Sequence, residues 1–157
     1  HCYQVLKNEY PALGGDFEVV HHTELLADLV KSGKLQLQSR LDGTVAYHDA
    51  CYLGRYNQIY DQPRSLLKEA GLAVQEMAHH HKKSLCCGAG GGRMWLEEDE
   101  GERINMLRAD EALAVNPEIL ATACPYCMTM LADGIAGREE GDKREVLDIA
   151  EILERVL

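Results

Sequence analysis

Ile119-Leu120-Ala121-Thr122-Ala123-Cys124-Pro125-Tyr126-Cys127 is a short apolar run that ends in two cysteines separated by Pro-Tyr. Ile119 to Ala123 reads as a buried strand. Pro125 has its φ pre-set for a first helical turn and lacks an amide that such a turn would leave unpaired, so a helix is predicted from there to about Ala136-Gly137. The same strand-then-helix alternation recurs on both sides. Phe17 to Val20 is predicted as a strand, followed by a helix that Thr23 caps and that carries Leu25, Leu26, Leu29 and Val30 as far as Ser32-Gly33. Thr44 to His48 is a second strand, Pro63 sits in the first turn of a helix ending at Gly71, and Leu72 to Met77 is a third strand. A charged helix from about Glu97 to Val115 follows, with Ile104, Leu107 and Leu113 on its buried stripe, and Asn116-Pro117 ends it. Val146-Leu147 is a short last strand before a helix capped by Asp148 that carries Ile149, Ile152, Leu153 and Val156. This alternation predicts an α/β fold, a parallel four- or five-stranded sheet with helices on both faces.

The 157 residues, 46% apolar and 27% charged, amount to one ordinary domain. At this length folding buries roughly 70% of the unfolded chain's surface, so a core forms without help from metal or disulfides. Sixteen Lys and Arg against 26 Asp and Glu give a net charge of −10. That charge repels phosphate backbones and argues against nucleic acid as a partner. The longest uncharged stretch, Ile119 to Ala132, has 14 residues and is interrupted by Pro125. It is too short to span a bilayer, and no signal-peptide pattern opens the sequence, so a cytoplasmic location is expected. His1-Cys2 stands where an initiator Met would be, and Tyr126 to Leu131 can be laid over His1 to Leu6 with the Cys and the Leu matching. Residue 1 is therefore expected to fall inside an earlier copy of the same motif.

Cys51 follows the second strand, Cys86-Cys87 lies in the loop after the third, Cys124 ends the fourth, and Cys127 sits in the next helix. The carboxyl ends of parallel strands share one sheet edge, where ligands bind, so these five cysteines are expected to converge there. Adjacent Cα atoms are about 3.8 Å apart, below the usual disulfide range of about 4.4 to 6.8 Å, so a Cys86–Cys87 bridge would be strained. A zinc tetrahedron from Cys51, Cys86, Cys124 and Cys127 is conceivable, yet five ligands are one too many for structural zinc. An iron–sulfur cluster fits better, because several irons let neighbouring cysteines hold different atoms. The Gly88-Ala89-Gly90-Gly91-Gly92 run can bring backbone N–H groups close to sulfur, with Gly88, Gly90 and Gly91 the candidate contacts.

The pattern Cys51-x34-Cys86-Cys87-x36-Cys124-x2-Cys127 resembles the cysteine-rich CCG domain of heterodisulfide reductase. It is equally similar to the iron–sulfur subunits of glycolate, lactate and anaerobic glycerol-3-phosphate dehydrogenases. The words Tyr47-His48-Asp49-Ala50-Cys51-Tyr52-Leu53-Gly54-Arg55, Cys86 to Gly92 and Ala123 to Cys127 carry the resemblance, with Ala50 departing from the Pro or Ser more usual there. The resemblance implies that the five cysteines bind a 4Fe–4S-type cluster, cubane or noncubane, with zinc or no metal in a fragment purified in air. It implies residues 17–157 to be a C-terminal CCG domain, and residues 1–16 the remnant of a preceding CCG domain and its connector, with Cys2 serving that other domain. It further implies a ferredoxin-like domain in the full-length protein, which would supply any membrane association. The implied task is electron transfer between a flavoprotein dehydrogenase or electron-transfer flavoprotein and a quinone or disulfide.

Among the histidines, His48 can donate a hydrogen bond to the cluster or relay a proton, against the alternative of a buried imidazole satisfied by backbone. His21-His22 approaches the same edge, Trp95 and Arg93 can cover it, and His79-His80-His81 reads as a solvated loop with opportunistic metal affinity. Two other functions compete. One is a zinc-binding interaction module. The other is a thiol–disulfide oxidoreductase using Cys124 and Cys127, which leaves Cys51, Cys86 and Cys87 without a role.

Overall fold

Two apolar runs occupy the middle of the sheet because helices cover both of their faces. In a computed structural model, which describes residues 1–96, 101–138 and 144–157, these are β1 (Thr44–Tyr47) and β3 (Ile119–Thr122). Every residue of β3 is buried, as are Val45, Ala46 and Tyr47 of β1. The flanking β2 (Ala73–Gln75) and β4 (Glu145–Asp148) are half exposed, as edge strands are. All pairings are parallel and the order is β2-β1-β3-β4. From the central pair the chain crosses outward in opposite directions, and right-handed crossovers then put the connecting helices on opposite faces. Helices α2 (His22–Lys31), α3 (Asp61–Glu69) and α6 (Ile149–Glu154) pack together on one side. Helices α4 (Ile104–Ala114) and α5 (Pro125–Ala136) pack against each other on the other. The point where strand order reverses lies between β1 and β3, so a crevice opens at their carboxyl ends.

The sheet has four strands, and Phe17 to Val20 is not one of them. That run pairs with no strand, and Phe17 and Val20 are 51% and 49% exposed. β-propensity without a free sheet edge and a face to bury does not make a strand. Thr23 is likewise inside α2 rather than its cap. His21 caps the helix, accepting the Thr23 N–H on Nδ1 while Glu24 accepts the His21 N–H in a capping box.

The described part of α4 begins at Ile104; residues 97–100 of the predicted charged helix lie outside the described residues, and 101–103 precede the helix. Its buried stripe is Asn105, Arg108, Ala109 and Ala112, not the predicted set, and Leu107 is 45% exposed. Small residues explain the rotation. A Cβ on Gly134 of α5 would stand 2.7 Å from the Asn105 carbonyl oxygen and 3.0 Å from Ala109 Cβ, so α4 and α5 touch along a glycine–alanine seam. The last helix matches its reading: Asp148 caps it through the Ala150 N–H, and Ile149, Ile152, Leu153 and Val156 are buried.

Residues 1–16 are docked on this body. Helix α1 (Cys2–Asn8) hydrogen-bonds to α2 from Tyr3 to Glu24 and to the β1–α3 turn from Asn8 to Asn57. Among the described residues no helix is long and apolar enough to cross a membrane.

Candidate metal centre

β1 runs out at Tyr47 into buried His48, Asp49 and Ala50, and Cys51 then opens a series of tight turns. Next door β3 runs out into Cys124, extended at φ −151°, which stands just before Pro125 at the start of α5 and so places Cys127 in that helix's first turn. The loop from β2 returns to the same edge at Cys86-Cys87. Gly88 follows with φ +89°, its flank closed by Ile104 at 3.3 Å, and that left-handed turn lets the Gly88 N–H donate to Cys86 Sγ at 3.3 Å. Cys51, Cys86, Cys87, Cys124 and Cys127 all line one cavity of about 300 Å³. Cys2, His21, His22 and Gly90 line it too. Gly91 does not, while Ala89 does and has its N–H on the Cys87 sulfur. Trp95 is 79% exposed and stands away from the cavity wall.

All six cysteines are free thiols, and their ionisation is divided unequally. Hydrogen bonds from Cys127 and Cys86, outweighing burial, hold the Cys87 thiol far below its ordinary value, with help from His48 and the Ala89 N–H. Its donors move the other way. The bond to Cys87 raises Cys86, and bonds to Cys124 and Cys87 raise Cys127. Cys124 is lowered to about 6 by Cys127 and by the Cys127 and Tyr126 backbone N–H groups at the start of α5. Burial raises Cys51. The pattern is a central thiolate ringed by S–H and N–H donors, the protonation state a soft cation would exploit by displacing the remaining protons.

His48 is 1% exposed, and its Nδ1 accepts the Arg108 Nε–H at 3.0 Å. A neutral ring so held carries its proton on Nε2. Nε2 has no ordinary hydrogen-bond partner among the described residues, and the ligand atoms of His48, Cys87 and Cys127 lie within 4.8 Å of one another. Burial lowers the pKa of the ring against the opposing pull of Cys87. Arg108 is fully buried and further donates to the His79 carbonyl, Ser84 Oγ and Glu111. Behind this lies Asp49, paired in bidentate fashion with Arg64 at 2.8 Å for both contacts.

Sequence reading missed Arg108, Asp49 and Arg64. Arg108 and Glu111 at i,i+3 look like a surface ion pair, and nothing local distinguishes them from one. His21 and His22 do reach the cavity wall; burial lowers the His21 ring to about 4, and His22 Nε2 pairs with Asp148 at 3.2 Å.

Comparison with known proteins follows the same residues. The family profile described as CCG, cysteine-rich domain, matches residues 45–132, which hold all five converging cysteines. The chain is 51% identical over 154 residues to the probable iron-sulfur-binding oxidoreductase FadF of Bacillus subtilis, covering 98% of this chain and 22% of the relative. It is 48% identical over 160 residues to EtfAB:quinone oxidoreductase of Syntrophomonas wolfei, covering 98% and 22%. It is 39% identical over 137 residues to one subunit of the dihydromethanophenazine:CoB–CoM heterodisulfide reductase of Methanosarcina acetivorans, covering 85% and 34%. The chain thus spans about a fifth to a third of the length of these relatives.

Proposed function

The chain belongs to the cysteine-rich CCG domain family, and from that footing we propose that it is an iron–sulfur electron-transfer module of a larger oxidoreductase. The observation that carries this reading is the arrival of five cysteines, from three strand-to-helix connections, on one cavity of about 300 Å³ at the switch point of the sheet. A volume worth roughly ten waters at ~30 Å³ each exceeds what one ion needs. The wall is chemically suited as well, with a buried imidazole Nε2 left without a partner, a Gly88 N–H on sulfur, and soft thiol donors.

In this reading Cys51, Cys86, Cys87, Cys124 and Cys127 are the ligands. A bound cluster supplies one-electron chemistry at a potential that its surroundings tune. Five thiolates exceed the four of an ordinary cubane, which favours the noncubane form. Gly88 and Gly90 admit close backbone, and His48 donates its Nε2–H toward Cys87. A relay role for His48 is poorer, because Arg108 cannot take up a proton and occupies the other ring nitrogen. The start of α5 favours anionic sulfur at Cys124 and Cys127.

The names of the relatives support a flavoprotein of the electron-transfer type as donor, and a quinone or a disulfide as acceptor. The domain proper is residues 17–157, with residues 1–16 leading in from a preceding CCG domain and a ferredoxin-like domain beyond it.

A single zinc ion is the second reading, favoured by the close approach of His48, Cys87 and Cys127. Iron, sulfide and zinc content with an EPR spectrum after anaerobic reconstitution separates the two. About four irons and four sulfides per chain, lost in Cys87→Ser while circular dichroism stays native, is the expected result. Tight zinc with no cluster under those conditions would replace it with the structural-metal reading.

A further inference from the structure

A second group of ligand atoms lies away from the cysteine cavity, where β2 gives way to its following loop. Glu76, His80 and His81 offer one ligand atom each within 4.8 Å of the others. None of the three lines the cysteine cavity. His79 takes no part, since its ring Nδ1 is turned to Glu111 at 2.9 Å.

Two of these side chains are mounted on the same buried pair. Arg64 grips Glu76 through Nε at 2.6 Å and a terminal nitrogen at 2.9 Å, and grips Asp49 as well. His81 adopts φ +54°, which few side chains tolerate, and its N–H donates to Asp49 Oδ2 at 2.6 Å. Its ring packs beside Tyr60, centroids 5.2 Å apart. His80 is exposed and brings its Nδ1 to 2.6 Å from His81 Nδ1 and 3.9 Å from Glu76 Oε2. Two imidazole nitrogens that close repel when both present lone pairs, and a proton or a cation held between them removes the repulsion. Arg64 with Asp49 and Glu76 sums to one negative charge, which a dication would meet, and Lys82 and Lys83 are exposed beyond it.

We propose that Glu76, His80 and His81 form a second metal site, for a divalent transition ion of the zinc, cobalt or nickel class. Two imidazole nitrogens and one carboxylate oxygen are the donor set of such ions, and nitrogen ligands disfavour magnesium and calcium. At a metal–nitrogen length of about 2.0–2.1 Å, one ion reaches both rings after a small rotation of exposed His80. Each carboxylate oxygen has a lone pair to spare beyond its bond to Arg64. Water completes the shell on the open side. The ion ties the end of β2 to the loop that leads into Cys86-Cys87, and so stabilises the folded state by mass action.

Cobalt(II) titrated into the reduced, anaerobic chain tests this, because cobalt bound by thiolates shows an intense charge-transfer band and cobalt bound by nitrogen and oxygen does not. Binding should shift the ring signals of His80 and His81 in proton NMR, in wild type and in Cys87→Ser alike. His80→Ala should weaken that event by more than about tenfold, the loss typical even of a ligand's supporting partner, and leave the thiolate band unchanged. His81→Asn, which keeps a left-handed backbone accessible, should do the same. Cobalt binding that is indifferent to His80→Ala, or ring shifts that disappear with the thiolate band in Cys87→Ser, overturns the site. The site uses no cysteine, so its failure leaves the cluster reading untouched, and the converse holds.

Discussion

The thiolate of Cys124 stands where backbone N–H groups at the start of α5 and the Cys127 S–H meet, and that placement sets its reactivity. Held at about 6, it is ionised in the reduced, metal-free chain at neutral pH, whereas Cys51 is pushed up by burial. Iodoacetamide labelling followed by peptide mass spectrometry should show Cys124 modification rising through about pH 6 and levelling by about pH 7. Cys51 should label only at clearly higher pH, and a reversed order would mean the thiol network is not formed. Arg108 is the other single residue on which much depends, since its guanidinium sets the ring of His48. Arg108→Met strands the His48 Nδ1, the His79 carbonyl and Ser84 Oγ without their donor, and should cost about 3 kcal/mol in denaturant unfolding. His48→Leu removes the N–H aimed at Cys87. After reconstitution it should lower the reduction potential with metal content kept, and His48→Gln, which retains a donor, should recover part of the shift. An unchanged potential in His48→Leu would show that Nε2 does not bond to the cluster sulfur.

At the level of elements, what sets the height of the cavity wall is how closely α4 approaches α5. Gly134 has no room for a Cβ against Asn105 and Ala109. Gly134→Ala should therefore destabilise by about 1–3 kcal/mol in equilibrium unfolding, as overpacking does, although alanine is the better helix former. A neutral or stabilising result would mean the seam is looser than these contacts imply. The same helix pair also marks where local reading stops. The pattern of Ile104, Leu107 and Leu113 suggests an apolar stripe, yet the helix turns polar Asn105 and Arg108 inward because their partners, the Met130 carbonyl and His48, come from other elements. Likewise Phe17 to Val20 has strand composition, and only the absence of a free edge beside it keeps it out of the sheet.

Across the molecule, the Asp49–Arg64–Glu76 group joins the end of β1 to α3 and the end of β2, behind the cysteines. Burial would raise Asp49, but Arg64 and the His81 N–H more than offset it, and Arg64 lowers Glu76, so both carboxyls titrate below their ordinary values. Their contribution is complete above the usual carboxylate range and is lost as pH falls through the depressed folded values. Stability from urea titrations should accordingly drop on acidification below about pH 5. Arg64→Met leaves Asp49 buried and unpaired, so it should cost about 3–5 kcal/mol at neutral pH and lose less of its stability on acidification than the wild type does. A parallel acid limb in both proteins would remove Arg64 as the cause. The alternation of strands and helices, the capping Asp148, the Pro125 helix start and the spacing of five cysteines were all readable from the chain, because each depends on neighbours within a turn or two, or on the rule that parallel strands share one carboxyl edge. The burial of His48 against Arg108, the docking of Cys2 on the same wall, the seating of Gly91 away from it, and the union of Glu76 with His80 and His81 were not. These depend on contacts between segments tens of residues apart, whose geometry is set by how helices pack on the sheet and leaves no local pattern to read.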